Sequence, residues 1–149
     1  MTTIDQFAEL LRTEADVADA ILGTLYEQQE AIMSFRDGAI MAAVERQRKL
    51  LEPMEALERE RESLCRAFDS TMRSGVNGQF SLSTLAQRLP RNDAAEILGA
   101  GKKLKGKVEK IMMVNRQNKM LLENSLRFVR HSLRIMTDNY AKKLIDKTM

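Results

Sequence analysis

The chain has no tryptophan, two tyrosines, five phenylalanines, two prolines, one histidine and one cysteine. Each scarcity excludes something. With so few aromatics and 30% charged residues, the composition argues against a compact mixed fold, although 149 residues are enough to bury a core. A single thiol, Cys65, allows no intramolecular disulfide and no cysteine-based metal cluster, and fits a reducing compartment. No apolar run approaches the roughly 20 residues that span a bilayer. The start, MTTIDQFAELL, lacks a basic segment followed by an apolar block, so no secretory signal is expected. Together these features predict a cytoplasmic protein that is not inserted in a membrane.

What remains is rich in Ala, Leu, Glu, Lys, Arg, Gln and Met, residues that lose little on entering a helix. Ten methionines suit either an adaptable core or an adaptable binding surface. The net charge of +3 hides an asymmetry. From Lys102 onward there are 13 basic against 4 acidic residues, and the first 101 residues carry 11 against 17. An acidic first part can pack against a basic second part. A basic helix can instead bind nucleic acid, an acidic protein or a membrane surface.

Apolar spacing predicts an all-α chain in a single domain spanning residues 1–149. Its architecture is a long antiparallel helical hairpin plus a long C-terminal helix, a coiled-coil-like bundle. The first helix is expected over residues 3–36, with Ile4, Phe7, Leu11, Ala18, Ile21, Leu22, Leu25, Ile32 and Phe35 on one stripe interrupted by Glu14 and Gln28. Asp37 and Gly38 read as the turn. The second helix is expected over 38–70, with Ile40, Val44, Leu51, Met54, Leu57, Leu64 and Phe68 facing inward and a kink at Pro53. SGVNGQ, residues 74–79, breaks the pattern. A short helix over 83–89, capped by Ser81 or Ser83, ends at Pro90. The last helix runs over 93–136, its start weakened by Gly99, Gly101 and Gly106, and a flexible tail covers 137–149.

No catalytic, cofactor or metal site emerges, and an enzyme is not expected. His131 sits on a basic face with no orienting partner suggested by spacing. GAGKKLKGK fails the phosphate-loop pattern, because Glu96 stands where the first glycine belongs and Lys103 where Ser or Thr would bind magnesium. Glu55, Glu58 and Glu62 alternate with arginines as solvated ion pairs. A ferritin-like metal site needs Glu-x-x-His pairs, and Phe128 occupies the position that such a glutamate would need before His131.

The last helix has an unusual seam. Steps of three and four pass through Ile97, Gly101, Leu104, Val108, Ile111, Asn115, Asn118, Leu122, Ser125, Val129, Ser132 and Met136. Amides and hydroxyls interrupt a row that a bundle usually fills with leucine. Seam amides cost stability but fix register. Asn115 and Asn118 read more readily as register pairs than as contacts to a partner. Leu122, Leu126 and Val129 read equally well as core or as anchors for a partner helix. A purely structural coiled coil would be more uniformly apolar here, and a nucleic-acid or membrane-surface binder remains the other alternative.

The run NRQNKMLLENSLRFV resembles the C-terminal helix of the FlgN family of flagellar export chaperones, through Asn115, Asn118, Leu121, Leu122, Ser125, Leu126, Phe128 and Val129. DGAIM, ERQRKLLEPMEALERERESL and SLSTLAQ are compatible with the family's earlier helices. The resemblance implies a non-enzymatic cytoplasmic chaperone. It implies binding of the hook-associated proteins FlgK and FlgL through their C-terminal helices and delivery to the export gate protein FlhA. Client contact then falls to Asn118, Leu122, Ser125, Leu126, Val129, Leu133 and Met136. Gate contact falls to Tyr140, with Leu144 and Ile145 on the same helical face. No cofactor or nucleic acid is implied, and a homodimer is left open.

Residues 74–79 have almost nothing to bury, and their glycines gain freedom when unpinned. Limited proteolysis of the native protein is expected to cut there first. Early cutting between residues 97 and 133 would contradict this reading.

Overall fold

The computed structural model describes residues 3–72 and 82–148, with side chains placed for 3–68 and 82–143. The breaker at 74–79, the cap Ser81 and the side chains of Leu144 and Ile145 lie outside the described residues. Four helices follow in order: α1 (Thr3–Met33), α2 (Asp37–Met72), α3 (Leu82–Gln87) and α4 (Arg91–Thr148). No strand occurs among the described residues, and none of their helices is long and apolar enough to cross a membrane.

Helix α1 forms the middle of the bundle, with α2 and α4 packed on it and α3 packed on α4. Glu14 meets Arg61 and Gln28 meets Gln47, so α1 and α2 are antiparallel. Arg12 meets Glu96, Asp19 meets Lys107 and Gln29 meets Gln117, so α1 and α4 run in the same direction. The acidic first part does pack against the basic last helix, at the Asp19–Lys107 pair of 2.7 Å. That lysine, with Lys103 and Lys110 nearby, holds the Asp19 carboxyl below its usual range.

One core cluster joins Phe7, Leu11 and Ala15 of α1 to Leu85 of α3 and Ile97 and Leu104 of α4. Met54, Leu64 and Phe68 close it from α2. Phe7 and Phe68 meet edge to face, with centroids 5.6 Å apart. A second cluster joins Ile21, Leu22 and Leu25 to Val114. Two inward expectations for α2 are corrected, because Val44 and Leu51 are exposed. The reason is topological: α2 packs mainly on α1, so a narrow arc suffices and much of the rest of its stripe has no helix to cover it. Proline at position 53 deletes one hydrogen bond without ending α2, which continues to Met72.

The hairpin turn also differs from the expected one. Helix α1 ends at Met33, and Phe35, rather than Gly38, takes the left-handed conformation with φ 54°. The Arg36 N–H donates to the Ala31 carbonyl at 2.9 Å, and the Phe35 N–H donates to the Ile32 carbonyl at 3.2 Å. This is a Schellman closure, which satisfies the last carbonyls of the helix. Gly38 lies in the first turn of α2. Phe35 is 66% exposed, so its ring is not part of the core stripe and its packing does not offset the strain.

The largest departure is at the C-terminus. The helix expected to stop at residue 136 continues to Thr148. Nothing breaks it, since no proline or glycine follows Gly106. Extending a helix already nucleated in a bundle needs no new nucleus, which is why a tail too short to be helical alone continues here. The start at Arg91 is also earlier than the expected 93, with the Pro90 carbonyl accepting from the Ala94 N–H at 2.9 Å.

A left-handed non-glycine residue costs about 1–2 kcal/mol, against about 0.5–1 kcal/mol for the extra chain entropy of glycine. Phe35→Gly is therefore expected to stabilise the fold slightly and raise Tm by about 2 °C. A lower melting temperature would mean that the Phe35 ring has a partner in the fold.

Candidate functional site

The half-polar seam of α4 divides at Asn118. Before it, seam residues face the bundle: Ile97 and Leu104 are buried, and Gly101 and Ile111 half-buried. A Cβ at Gly101 would lie 2.4 Å from Leu82 Cδ1, so the missing side chain makes room for α3. Val108 and Asn115 lie at the edge and are exposed. The phosphate-loop lookalike at 99–107 lies wholly within α4, so no loop exists there to cradle a phosphate.

Asn118 itself is 2% exposed. Its Nδ2 donates to the Leu25 carbonyl at 2.9 Å and to Gln28 Oε1 at 3.3 Å. Gln28 Oε1 also accepts from Gln47 Nε2 at 3.0 Å. One amide each from α4, α1 and α2 thus form a polar layer across the bundle. The Asn118 Oδ1 is buried without a protein partner, so the layer costs some stability, as expected of a device that fixes register. Asn118 is therefore removed from the client row; its amide hydrogens are used inside the protein.

A second polar layer lies nearer the start of α1. The Arg61 Nε donates to both Glu14 carboxylate oxygens, at 2.8 and 3.1 Å. Glu14 is buried, and loss of water raises its carboxyl above the ordinary range while Arg61 pulls the other way. Beside this pair lies an open apolar cleft of about 800 Å³, lined among others by Phe7, Leu11, Leu82, Leu104, Cys65 and Arg66. The Cys65 thiol is half-buried, and burial raises its pKa.

Between residues 126 and 143 of α4 every residue is exposed except Ser132, which is half-buried. Residues 126–148 correspond to roughly 35 Å of helix. Helix α1, which supports the first part of α4, has already ended at Met33. Large apolar side chains nevertheless continue along this stem. Leu126 is 55% exposed, Val129 44%, and Leu133 and Met136 are likewise open. Leu122 and Ser125 are half-buried at its root.

These residues form one row with alternating steps of four and three: Leu122, Leu126, Val129, Leu133, Met136 and then Tyr140. Tyr140 thus stands one turn beyond Met136 on the same unbroken face, 70% exposed. The division between a client helix and a separate tail is not present in the backbone. Phe128 and Ile135, both exposed, form a parallel row on the other side of Ser125 and Ser132. Sequence reasoning left Ile135 out and used Phe128 as a family marker and as an argument against a Glu-x-x-His metal motif, not as an apolar anchor. Their spacing of seven from each other, and of three from each serine, was the available signal. The hydroxyls are therefore the floor of a broad apolar arc rather than an interruption of a core.

Of the methionines with placed side chains, Met54 is half-buried, while Met33, Met41, Met112, Met113, Met120 and Met136 are exposed. Methionine here serves the surface, where a flexible and polarizable side chain adapts to varied partners. Large contiguous exposed apolar surfaces are uncommon on soluble monomers and are frequently contact sites. Among the described residues no group of ligating side chains could hold a metal ion, and His131 is exposed on the stem.

The family model described as FlgN protein matches residues 1–144. The chain belongs to the FlgN family. Membership assigns it a role as a flagellar export chaperone. No curated protein and no solved structure matches the chain.

The two opposed effects on Glu14 make a pH prediction. Its native carboxyl holds a proton more tightly than the unfolded chain does, so falling pH favours the native state. The gain is complete below the ordinary glutamate value of 4.5 and is lost as pH rises through the raised native value. In urea denaturation, wild type is expected to gain stability relative to Glu14→Gln between pH 7 and about 4.5. A gap moving the other way would mean that Arg61 outweighs burial.

Proposed function

We propose that the chain holds the C-terminal helices of FlgK and FlgL along the exposed stem of α4 and brings them to FlhA. It would do so in the cytoplasm and without catalysis. The observation that carries this reading is the apolar row that starts at half-buried Leu122 and continues through Leu126, Val129, Leu133 and Met136, left uncovered where α4 outruns α1. Helix-in-groove recognition uses anchors at such spacings. Ser125 and Ser132 between the two apolar rows let a partner helix approach closely. Tyr140, with Leu144 and Ile145, contacts the gate from the end of the same helix.

The test is copurification of Leu126→Ser/Val129→Ser with C-terminal fragments of FlgK and FlgL. Truncating interface anchors typically costs about 2 kcal/mol or more, so capture should fall by roughly thirtyfold or beyond. Helicity and Tm are expected to survive, because both side chains are exposed. Melting of the variant would show that they stabilise the fold. Deleting residues 138–149 is expected to keep client capture and weaken FlhA binding and secretion. Lost client capture with FlhA binding intact would place the client on the tail instead.

A further inference from the structure

The stem has a second face. At 100° per residue, the apolar arc formed by Phe128, Ser125, Val129 and Leu126 and their repeats spans about 160°. Arg127 and Arg134 lie about 180° from its centre, and Arg130 about 120°. All three are exposed, and among the described residues none makes an ion pair or side-chain hydrogen bond. By contrast, Lys107 and Arg12 pair with carboxylates across the α1–α4 seam.

The residue type also changes where the helix leaves the bundle. Between Lys102 and Lys119 the basic residues are six lysines and one arginine; between 127 and 134 they are three arginines and no lysine. Arginine offers a planar fork that meets a carboxylate in two parallel hydrogen bonds, which a lysine ammonium cannot do. Positions 127, 130 and 134 share one side of a helix, within about 10 Å of its length.

We propose that Arg127, Arg130 and Arg134 form a docking ridge for an acidic protein surface. This ridge is distinct from the apolar arc and stays open while that arc is occupied. Only that last clause rests on the client reading above. An anionic membrane fits the geometry less well, because the ridge and the apolar arc point to opposite sides and one lipid plane cannot engage both. RNA also fits less well. No Trp, Tyr or Phe lies on the ridge to stack a base.

The test uses the full chain, with binding read by fluorescence anisotropy at fixed ionic strength. The probe is labelled poly-glutamate of about 20 residues, chosen to match the length of the stem. Three exposed arginine–carboxylate contacts correspond to about a tenfold change in affinity. Arg127→Gln/Arg130→Gln/Arg134→Gln should weaken binding by about that factor. Removing three exposed lysines from the bundle part of α4, Lys102→Gln/Lys105→Gln/Lys119→Gln, should change it less than about threefold. Glutamine keeps helix propensity close to that of arginine and lysine, so both variants should stay folded, as circular dichroism would verify. Leu126→Ser/Val129→Ser should bind the probe like wild type, whether or not it still captures a client. Equal losses in the arginine and lysine variants would overturn the proposal, since attraction would then be only to net charge. Tighter binding to a single-stranded RNA of equal charge, or to phosphatidylserine vesicles, would overturn it in favour of that partner.

Discussion

Helix α1 has an arc of small and apolar residues wide enough to bury against two helices at once, and the remaining geometry depends on that double burial. Ala8, Ala15, Ala18 and Ala31 are buried beside Phe7, Leu11, Leu22 and Leu25, so neighbouring backbones can come close without leaving voids. Neither α2 nor α4 has a comparable requirement. Each presents one stripe to α1; α4 also carries the short α3, and most of the remaining surface of both helices lies in water. Because α1 has 31 residues and α4 has 58, the partner for α4 runs out well before α4 does. The exposed stem follows from that mismatch in length together with the parallel direction of the two helices.

Two polar layers keep this arrangement in register. Apolar stripes alone would permit α4 to slide along α1 by a turn, since one buried leucine resembles the next. The Glu14–Arg61 pair fixes α2, and the Asn118–Gln28–Gln47 layer fixes all three helices. A one-turn slide would bury Asn118 against aliphatic side chains and strand its donors, a cost of about 1–3 kcal/mol. The same layer stands at the root of the stem. It therefore sets where support for α4 ends.

The all-α class, the hairpin and the three long helices could be read from the 3.6-residue period and the scarcity of breakers. The interruptions at Glu14 and Gln28 were visible too, though their partners Arg61, Gln47 and Asn118 were not. Periodicity shows which residues share a face but not which helix covers that face. For the same reason Val44 and Leu51 were placed inside, and Leu122 stayed ambiguous between core and anchor. The left-handed turn fell to Phe35 because backbone closure of α1, rather than residue preference, decides where the chain reverses. The continuous row from Leu122 to Tyr140 was present in the numbering. It went unread because the tail was treated as separate from its helix.

The stem's isolation has a mechanical consequence. A ligand enclosed among several helices must break most of its contacts before any part of it is free. A ligand laid along a single exposed helix, as proposed for the row from Leu122 to Tyr140, would be held on one side only, turn by turn. Pulled from its tip, it can peel away in a series of small steps, each breaking the contacts of one turn. Pulled sideways, it must break all of them together. Such a contact surface would be weak along one direction of force and strong along another, and the free end of α4 would set which is which.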